Sequence, residues 1–534
     1  MQSKYTTIPE AFKAPMPRRR VLQLFGVGAG ALAVQGLLVA CGPAGETVTP
    51  SATAKAGGTL RLTQAADVLP ASAQTIYFPN TGWINQVCDR LVRQDWEKDL
   101  ELSGQLAEEW TVNEDFTQIS FTIREGVLFH NGRGLTADDI KQNLERVATP
   151  EVASQWFGPS SNIASIEVPS EFEIVITLTA PRPGIMDMFA NLAILAPECF
   201  ADLGSGTSVI GTGAFVWDSW EPGSKLTLSK NEDYWNTDGG PYLDSIVIDV
   251  VPDAAALATS VVTQTADFAI SPAYADIARL RDGATVQIVS SEAGSENFYL
   301  GANVVVAELS DKRVRQAINY SLDRDRIVKI ALKEVGFAKS VPWGPNNPAW
   351  DDEQAERYQL DLDRAKELLD EAGVGSGFST TITTNTSSPV QRDIAQIIQA
   401  NLGELGIDTQ INEIEQARWL ELLKSASFPG LWLGTTACGN LYPGSTVTML
   451  FPFRTKNASN FGSPEYTELT EKTASVADPT EAKQVFYDLT ELMLDECFVM
   501  PFTIQRMTWA MAKNVGGFKY DPLDKMLLND VFFS

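Results

Sequence analysis

The chain has 534 residues, too many for one typical domain, and this length predicts two or three lobes with separate cores. Its formal charge of −27 argues against partners such as nucleic acid or anionic lipid. One histidine and five cysteines without a CxxC pair leave little room for a histidine-based metal site or a Ser-His-Asp or Cys-His catalytic centre. We therefore expect no catalytic residues, no metal site and no cofactor.

The N-terminal segment has the layout of an export signal. Arg18 and Arg19 precede an uncharged run over 21–40, which ends at Cys41. Basic residues, an apolar stretch and a small-residue cleavage site are typical of a signal peptide, and the paired arginines resemble the twin-arginine signal. The residues before Cys41 resemble a lipobox, which predicts cleavage before this cysteine and acylation of its thiol. An uncleaved membrane-spanning helix and a buried helix are the alternatives.

The first half of the remaining chain is predicted to be mainly β. Residues 41–56, from the lipidated cysteine onward, are small, polar and Pro-containing, which indicates a flexible linker. Thr136 is expected to cap a helix over 136–147. Alternating apolar residues predict strands over 59–62, 117–124, 172–178 and within 211–251.

From about residue 300 the pattern changes to helix plus strand. A β-rich run over 378–384 is followed by a helix with a capping box at Ser388 and Pro389, and then by a strand over 407–414. This βαβ unit predicts parallel strands in a mixed or parallel sheet, and hence an α/β fold. Further helices are predicted over 314–322, 362–372 and 480–497, with a last β segment over 499–508.

Seven short motifs resemble, in order, those of the family 5 extracellular solute-binding proteins. This ABC-importer group includes oligopeptide-, dipeptide- and nickel-binding proteins. The set spans about residues 57–520 and is highly specific. The motifs are GTL at 58–60, LAEEW at 106–110, FTIREGVLFHNG at 121–132, TADDI at 136–140, GTGAF at 211–215, NEDYW at 231–235 and DKRVRQAI at 311–318.

The resemblance implies a two-lobed periplasmic-binding-protein fold of type II, with an extra subdomain inserted into the N-terminal lobe. The chain is then expected to cross between the lobes near 298 and near 500. The implied divisions are lobe I at 57–83, 196–297 and 500–534, the inserted subdomain at 84–195, and lobe II at 298–499.

The resemblance also implies a function. The lobes close over a solute, and the loaded protein docks on the permease subunits of an ABC importer, without breaking a bond in the solute. A peptide or peptide-like solute is expected; an oligosaccharide, or a sensor-linked binding role, is the alternative. A secreted hydrolase is disfavoured, since no catalytic constellation converges.

The export signal and the resemblance together imply a location. The body is expected in the periplasm, or on the outer surface of a cell without an outer membrane, tied to the membrane by a lipid on Cys41. We expect a monomer that does not bind nucleic acid. The four later cysteines leave disulfides and buried free thiols as alternatives.

The charged anchors for a free dipeptide are missing at their expected positions. Dipeptide-binding relatives have an aspartate for the ligand ammonium where this chain has Thr435 or Thr436, and an arginine for the ligand carboxylate where 384–388 has none. A buried charge needs a partner, so a free dipeptide is disfavoured. Nickel is disfavoured further, because the single histidine, His130, lies in a fold motif and is expected to be a structural turn residue.

The groups left near the expected cleft are neutral. Aromatic faces with amides and hydroxyls suit sugars, amide-rich peptides or flat amphipathic solutes. Core packing is the alternative for each aromatic residue, and Cys438 is expected to be a wall residue rather than a nucleophile. The expected ligand-contacting residues are Trp83, Trp343, Asn346, Trp432, Thr435, Asn440 and Tyr442.

Overall fold

The computed structural model describes residues 55–75, 77–95, 101–152, 154–237, 239–292 and 294–534. The predicted export signal with Arg18 and Arg19, and the predicted lipidation site Cys41, lie outside these residues. Within them, no helix combines the length and the apolar character that crossing a bilayer requires.

The first half of the chain is mainly β, as its alternating apolar residues predict. Its strands are β1 (Thr59–Gln64), β2 (Val92–Asp95), β3 (Glu101–Gly104), β4 (Ala107–Val112), β5 (Gln118–Ile123), β6 (Ile163–Ser170), β7 (Glu173–Leu178), β8 (Phe215–Glu221), β9 (Lys225–Lys230), β10 (Ser245–Val250), β11 (Phe268–Ile270) and β12 (Val286–Ser290). Its helices are α1 (Ile84–Val87), α2 (Ala137–Val147), α3 (Phe157–Ser160), α4 (Ile185–Asn191), α5 (Ala254–Val262) and α6 (Tyr274–Arg281).

The second half contains the long helices. They are α7 (Lys312–Ser321), α8 (Arg324–Arg326), α9 (Asp352–Ala355), α10 (Leu362–Glu371), α11 (Pro389–Gly403), α12 (Gln416–Ser425), α13 (Pro443–Met449), α14 (Pro464–Ser475) and α15 (Pro479–Glu496). The strands are β13 (Glu296–Ala302), β14 (Phe337–Ala338), β15 (Ser379–Asn385), β16 (Asp408–Ile414), β17 (Leu431–Ala437), β18 (Val499–Gln505), β19 (Thr508–Ala512), β20 (Val515–Gly516), β21 (Lys519–Tyr520), β22 (Met526–Leu527) and β23 (Phe532–Phe533).

Three sheets define three bodies. Lobe I is built on a seven-stranded sheet in the order β12-β19-β11-β1-β10-β9-β8, and β1 runs parallel to both β10 and β11. The inserted subdomain is built on the antiparallel sheet β4-β5-β7-β6. Lobe II is built on the sheet β14-β18-β13-β17-β15-β16. Each body buries a large apolar cluster of its own, so burial of apolar surface stabilises each one separately.

The two crossings between the lobes lie a few residues from their predicted positions. β12 belongs to lobe I and β13 to lobe II, so the first crossing lies within 291–295, a few residues before 298. β18 belongs to lobe II and β19 to lobe I, so the second lies at 506–507, a few residues after 500. The reason is that β13 and β18 pair with each other, which keeps the chain in lobe II through β18. The other predicted domain boundaries stay predictions.

Local patterns predicted most helices and strands, with one error at a helix start. At α2, the Asp139 carboxylate accepts the backbone N–H of Thr136 at 2.9 Å, as a helix start at Thr136 requires. The predicted βαβ unit is confirmed, since β15 and β16 pair in parallel with α11 between them. The predicted capping box at Ser388 is wrong, because its side chain makes no capping hydrogen bond. The Gln391 side chain instead accepts from the Asn385 side chain at 3.3 Å.

Candidate functional site

The inserted subdomain touches lobe II through α4. The carboxylate of Asp187 accepts the backbone N–H of Tyr442 at 2.9 Å, and the hydroxyl of Ser445 donates to the carbonyl of Gly184 at 3.0 Å. Burial raises the pKa of Asp187 to about 6, although the hydrogen bond from the backbone N–H of Tyr442 favours its ionised form. Tyr442, which the sequence analysis predicted at the site, therefore lies half-buried at a boundary between bodies.

Asn440, another predicted site residue, connects lobe II to lobe I. Its side-chain amide donates to the carbonyl of Gly294 at 3.0 Å and to that of Pro522 at 2.9 Å. Its Oδ1 is buried and accepts no hydrogen bond from the described residues. A buried acceptor without a donor costs free energy, so this oxygen could accept a hydrogen bond from a bound molecule.

Trp343 and Asn346 lie in very different surroundings. Trp343 is fully buried and donates from its indole nitrogen to the hydroxyl of Thr490 at 2.8 Å, whereas Asn346 is exposed. The neighbouring Asn347, which the sequence analysis did not identify, donates from its side chain to two backbone carbonyls within 438–442, at 3.1 and 2.7 Å. Asn347 therefore holds the loop that carries Asn440, and no sequence pattern distinguishes it from Asn346.

The rings of Trp432 and Trp83 are covered by protein. Trp432 stacks on Phe428 with ring centroids 4.8 Å apart and planes 4° apart, and it meets the ring of Tyr299 edge-on at 5.3 Å. Trp83 meets Trp217 edge-on at 5.0 Å in the core of lobe I. Neither tryptophan has exposed surface. Their surroundings are those of core residues, and their contact with a solute stays a prediction.

An acid lies beside Thr435 on the neighbouring strand. In the antiparallel register of β13 and β17, Thr435 pairs with Phe298, and Glu296 projects from the same face as Phe298. Burial raises the pKa of the Glu296 carboxyl group, and the Thr435 side chain lies close enough to it to oppose this shift. The hydroxyl of Tyr274, at the start of α6 in lobe I, lies near this carboxylate and is buried without a hydrogen-bond partner among the described residues. A carboxylate is therefore present next to position 435, although not on it.

Asp524 adds a second buried carboxyl group at the hinge. Its Oδ2 accepts the hydroxyl of Ser295 at 2.6 Å, and Ser295 directly precedes Glu296 in the chain. Burial, together with the charges of Asp521 and Glu296, raises the pKa of Asp524 to about 7, although the hydrogen bond from Ser295 favours its ionised form. This acidic pair, Glu296 and Asp524, was not predicted, because its members come from opposite ends of the chain.

Two buried cations lie near the same C-terminal loop. Arg90 is 4% exposed and Lys525 is 6% exposed. Burial lowers the pKa of both, that of Lys525 to about 8. Neither residue was predicted at the site. The one available signal was that Asp89 and Arg90 stand side by side between apolar residues at 87–88 and 91–92, where charges are unusual.

His130 has the structural role expected of it. Its Nε2–H donates to the carbonyl of Gly213 at 2.9 Å, and its Nδ1 accepts the N–H of Gly211 at 3.4 Å. These partners require a neutral ring with its proton on Nε2, and burial lowers the pKa of the ring accordingly. The histidine thus ties the inserted subdomain to the segment 211–213.

The cysteines of the described residues are free and buried, which settles the alternative between disulfides and thiols. Burial raises the pKa of Cys438 to about 12, so its thiol is a poor nucleophile. Its place in the wall of the cleft stays a prediction. Within the described part of the chain, no group of three or more His, Cys, Asp or Glu residues could hold a metal ion. The free thiols are Cys88, Cys199, Cys438 and Cys497.

A groove of about 750 Å³ lies away from the lobe boundary. It lies on lobe II alone, and its lining includes Tyr320, Arg357, Arg364 and Glu491. Since no residue of lobe I or of the inserted subdomain lines it, closure of the lobes cannot cover a molecule bound there. The candidate site is therefore the boundary between the bodies, where the buried charges lie.

Known proteins resemble this chain over most of its length. The glutathione-binding protein GsiB of Salmonella paratyphi A is 26% identical over 444 residues, which cover 79% of this chain and 84% of the relative. The periplasmic binding protein DppA from Helicobacter pylori, solved in complex with the peptide STSA, is 23% identical, with a TM-score of 0.75 and coverage of 90% and 98%. The oligopeptide-binding protein AppA from Bacillus subtilis, solved with a nonapeptide, is 22% identical, with a TM-score of 0.75 and coverage of 90% and 100%.

The two structural likenesses show that the chain has the two-lobed fold of type II. The family model described as "Bacterial extracellular solute-binding proteins, family 5 Middle" matches residues 101–459. This match includes most of the inserted subdomain and most of lobe II, and it covers more than half of the chain. The chain belongs to the family 5 bacterial extracellular solute-binding proteins.

Proposed function

We propose that the chain captures a peptide or peptide-like solute with a free ammonium group between its lobes and delivers it to the permease subunits of an ABC importer. The carrying observation is the Glu296 carboxylate beside Thr435. It provides an acid next to the position where dipeptide-binding relatives are expected to hold the ligand ammonium. The relatives named above as binding glutathione and peptides agree with this solute class.

The surroundings of Glu296 favour an ammonium partner. Burial makes its ionised form costly, and none of the interactions that act on it comes from a cation. An ammonium group beside the carboxylate would replace the lost hydration and lower the pKa of Glu296. The unpartnered hydroxyl of Tyr274 and the free Oδ1 of Asn440 offer neutral hydrogen bonds at the same boundary.

An oligosaccharide is less well supported. Sugar recognition generally uses an aromatic face that stacks on the ring of the sugar. The rings of Trp83, Trp343 and Trp432 have no exposed surface, and Phe428 covers one face of Trp432. The peptide interpretation therefore ranks first, and sugars serve as its competitor in the experiment.

A thermal-shift screen tests the proposal on residues 42–534, which include every residue that the structure describes. Pools of tripeptides, oligosaccharides, polyamines and opines are compared. A solute at ~100 times its dissociation constant adds ~2.7 kcal/mol to the stability of the native state. We expect the tripeptides to raise the melting temperature, and their N-acetylated forms to have no effect. Stabilisation by sugars alone would overturn the proposal.

A matched pair of variants tests the role of Glu296. Glu296→Gln keeps the shape of the side chain but removes its charge. It is expected to cost about 1.5–3 kcal/mol of tripeptide binding, or roughly 10- to 150-fold in affinity. The control is Glu292→Gln, which changes an exposed acid in the same connection. Equal tripeptide affinity in the two variants would remove Glu296 from the site.

We further propose that the chain is exported, cleaved before Cys41 and anchored as a monomeric lipoprotein that does not alter its solute. Labelling of cells with a radioactive fatty acid should mark the native chain but not Cys41→Ser. Replacement of Arg18 and Arg19 by lysine should block export if the twin-arginine route is used. Light scattering should give the mass of a monomer, and tripeptides should be recovered intact after incubation.

A further inference from the structure

The side chain of Arg90 is buried, and two nitrogens of its guanidinium group have no hydrogen-bond partner among the described residues. It is 4% exposed, and its Nη1 donates to the carbonyl of Cys88 at 2.6 Å. Its Nε and Nη2 are buried and have no hydrogen-bond partner among the described residues. Buried guanidinium nitrogens are normally paired, so two unpaired nitrogens on one arginine need an explanation.

The two nitrogens without a partner are the pair of donors that binds a carboxylate in a bidentate contact. In a guanidinium group the Nε–H bond and one Nη2–H bond point in nearly the same direction, and together they donate to the two oxygens of a carboxylate. Nη1, the nitrogen outside this pair, is the one that the protein uses. The protein thus leaves open the two donors that suit a planar oxyanion.

The neighbours of Arg90 add a second cation and a free acceptor. Lys525 is buried, and among the described residues its ammonium group donates one hydrogen bond, to Oδ1 of Asn191 at 3.0 Å. An ammonium group has three donors, so two remain for another partner. Oδ1 of Asn85 is also buried without a partner, while its Nδ2 donates to Asp521 at 3.2 Å.

The acids nearby do not satisfy these cations. Asp521 acts on both cations through its charge but forms no salt bridge with either among the described residues. The oxygens of Asp89 are occupied by other donors, namely the side chains of Gln105, Thr212, Tyr234 and Trp235. The site is therefore short of an oxyanion.

We infer that Arg90 and Lys525 form a buried site for a carboxylate group of the bound solute. The inference rests on the proposed function and narrows it to solutes that carry both an ammonium and a carboxylate. The loop over 521–525 connects the two sites, since it carries Lys525 and also Asp524, which contacts the residue before Glu296. Polyamines and neutral sugars lack the group that this site takes.

The chemistry of the solute provides the first test. Isothermal titration of residues 42–534 compares tripeptides with the same tripeptides amidated at the C-terminus. We expect the free acids to bind roughly 10- to 100-fold more tightly than the amides, because a charge-assisted bidentate contact is lost. Acids and amides that bind equally would overturn the inference and leave the proposed function standing.

Variants provide the second test. In Arg90→Gln, and to a smaller extent in Lys525→Gln, the preference for the free acid should fall towards one. The control Arg93→Gln changes an exposed arginine three residues away and should keep the full preference. A preference that survives in Arg90→Gln contradicts the assignment, provided that the variant still unfolds cooperatively.

A third measurement does not depend on peptides. If no tripeptide binds, the proposed function fails, and the oxyanion site is then probed with acetate and succinate. These anions should raise the melting temperature of the native chain more than that of Arg90→Gln. An equal response of the two proteins, or a crystal structure that shows only ordered waters at Arg90 with succinate present, would overturn the inference.

Discussion

The contact between Asp187 and Tyr442 predicts how far one side chain controls lobe closure. Asp187 lies on α4 of the inserted subdomain, is 3% exposed, and accepts the Tyr442 N–H at 2.9 Å. These residues belong to different bodies, so the hydrogen bond exists only when the bodies are together. Asp187→Ala removes the acceptor and leaves the N–H without a partner in the closed form.

The size of the effect follows from the cost of an unmade hydrogen bond. Leaving a buried donor unsatisfied costs about 1–3 kcal/mol. If this cost falls on the closed form alone, the closed population drops roughly 5- to 150-fold relative to the open one. The apparent affinity for a solute held by the closed form falls by a comparable factor once the open form dominates.

Two assays check this prediction, and a control variant excludes a general effect of removing an acidic side chain. Isothermal titration with the tripeptides that stabilise the native chain should show the weaker affinity. Small-angle X-ray scattering without tripeptide should show a larger radius of gyration. The control Asp202→Ala changes an exposed acid and should behave like the native chain. If Asp187→Ala keeps the native melting temperature, affinity and radius, the contact does not control closure.

Three further predictions concern titratable groups. Because burial lowers the pKa of His130 below 6.5, the free energy of unfolding should fall as the pH drops below this value, and denaturant melts should show a smaller fall in His130→Gln. The pH dependence of stability due to Asp524 has the opposite sign, because burial raises its pKa from 3.8 to about 7. Its share of stability is therefore lost as the pH rises through this range, and Asp524→Asn should gain stability relative to the native chain at pH 8; equal melts would contradict this. The four buried thiols should resist Ellman's reagent in native residues 42–534 and react fully in denaturant, and fast native labelling would contradict their burial.

Local sequence patterns predicted the elements well, because their signals lie within a few residues. The alternation over 172–178 became β7, and the pattern from 378 to 414 became β15, α11 and β16. The wrong prediction at Ser388 also came from a local pattern. The capping pattern was present, but the Gln391 side chain bonds to Asn385 at the end of the preceding strand, which the pattern does not include.

The charged groups of the candidate site could not be predicted in this way. Glu296 lies beside Thr435 only because β13 pairs with β17, and no local pattern specifies that pairing. The surroundings of Arg90 depend on a contact between Asn85 and Asp521, which are 436 residues apart in the chain. Sequence reasoning therefore found that the expected anchors are absent, but it could not find the groups that could replace them.

The tryptophans were predicted at the site, but the structure places them in apolar cores. Large aromatic residues are common both in cores and at binding sites, so residue type alone does not separate the two. Trp343 and Trp432 lie in the apolar cluster of lobe II, and Trp83 lies in that of lobe I. Of the polar residues predicted at the site, Thr435, Asn440 and Tyr442 lie at or near the boundary between the bodies, whereas Asn346 is exposed. Their contact with a solute stays a prediction.

The division of charge between the bodies indicates an order of events in binding. Arg90 and Lys525 lie on the side of the inserted subdomain and lobe I, whereas lobe II contributes the Glu296 carboxylate and the neutral groups of Thr435, Asn440 and Tyr442. Attraction between charges acts over about 8 Å at physiological ionic strength, while a hydrogen bond requires about 3 Å. The charges of Arg90, Lys525 and Glu296 would therefore act on the solute at longer range, and the neutral groups of lobe II would act only after closure. On this argument lobe II needs no charged anchor beyond Glu296, which reconciles its neutral loops with a zwitterionic solute.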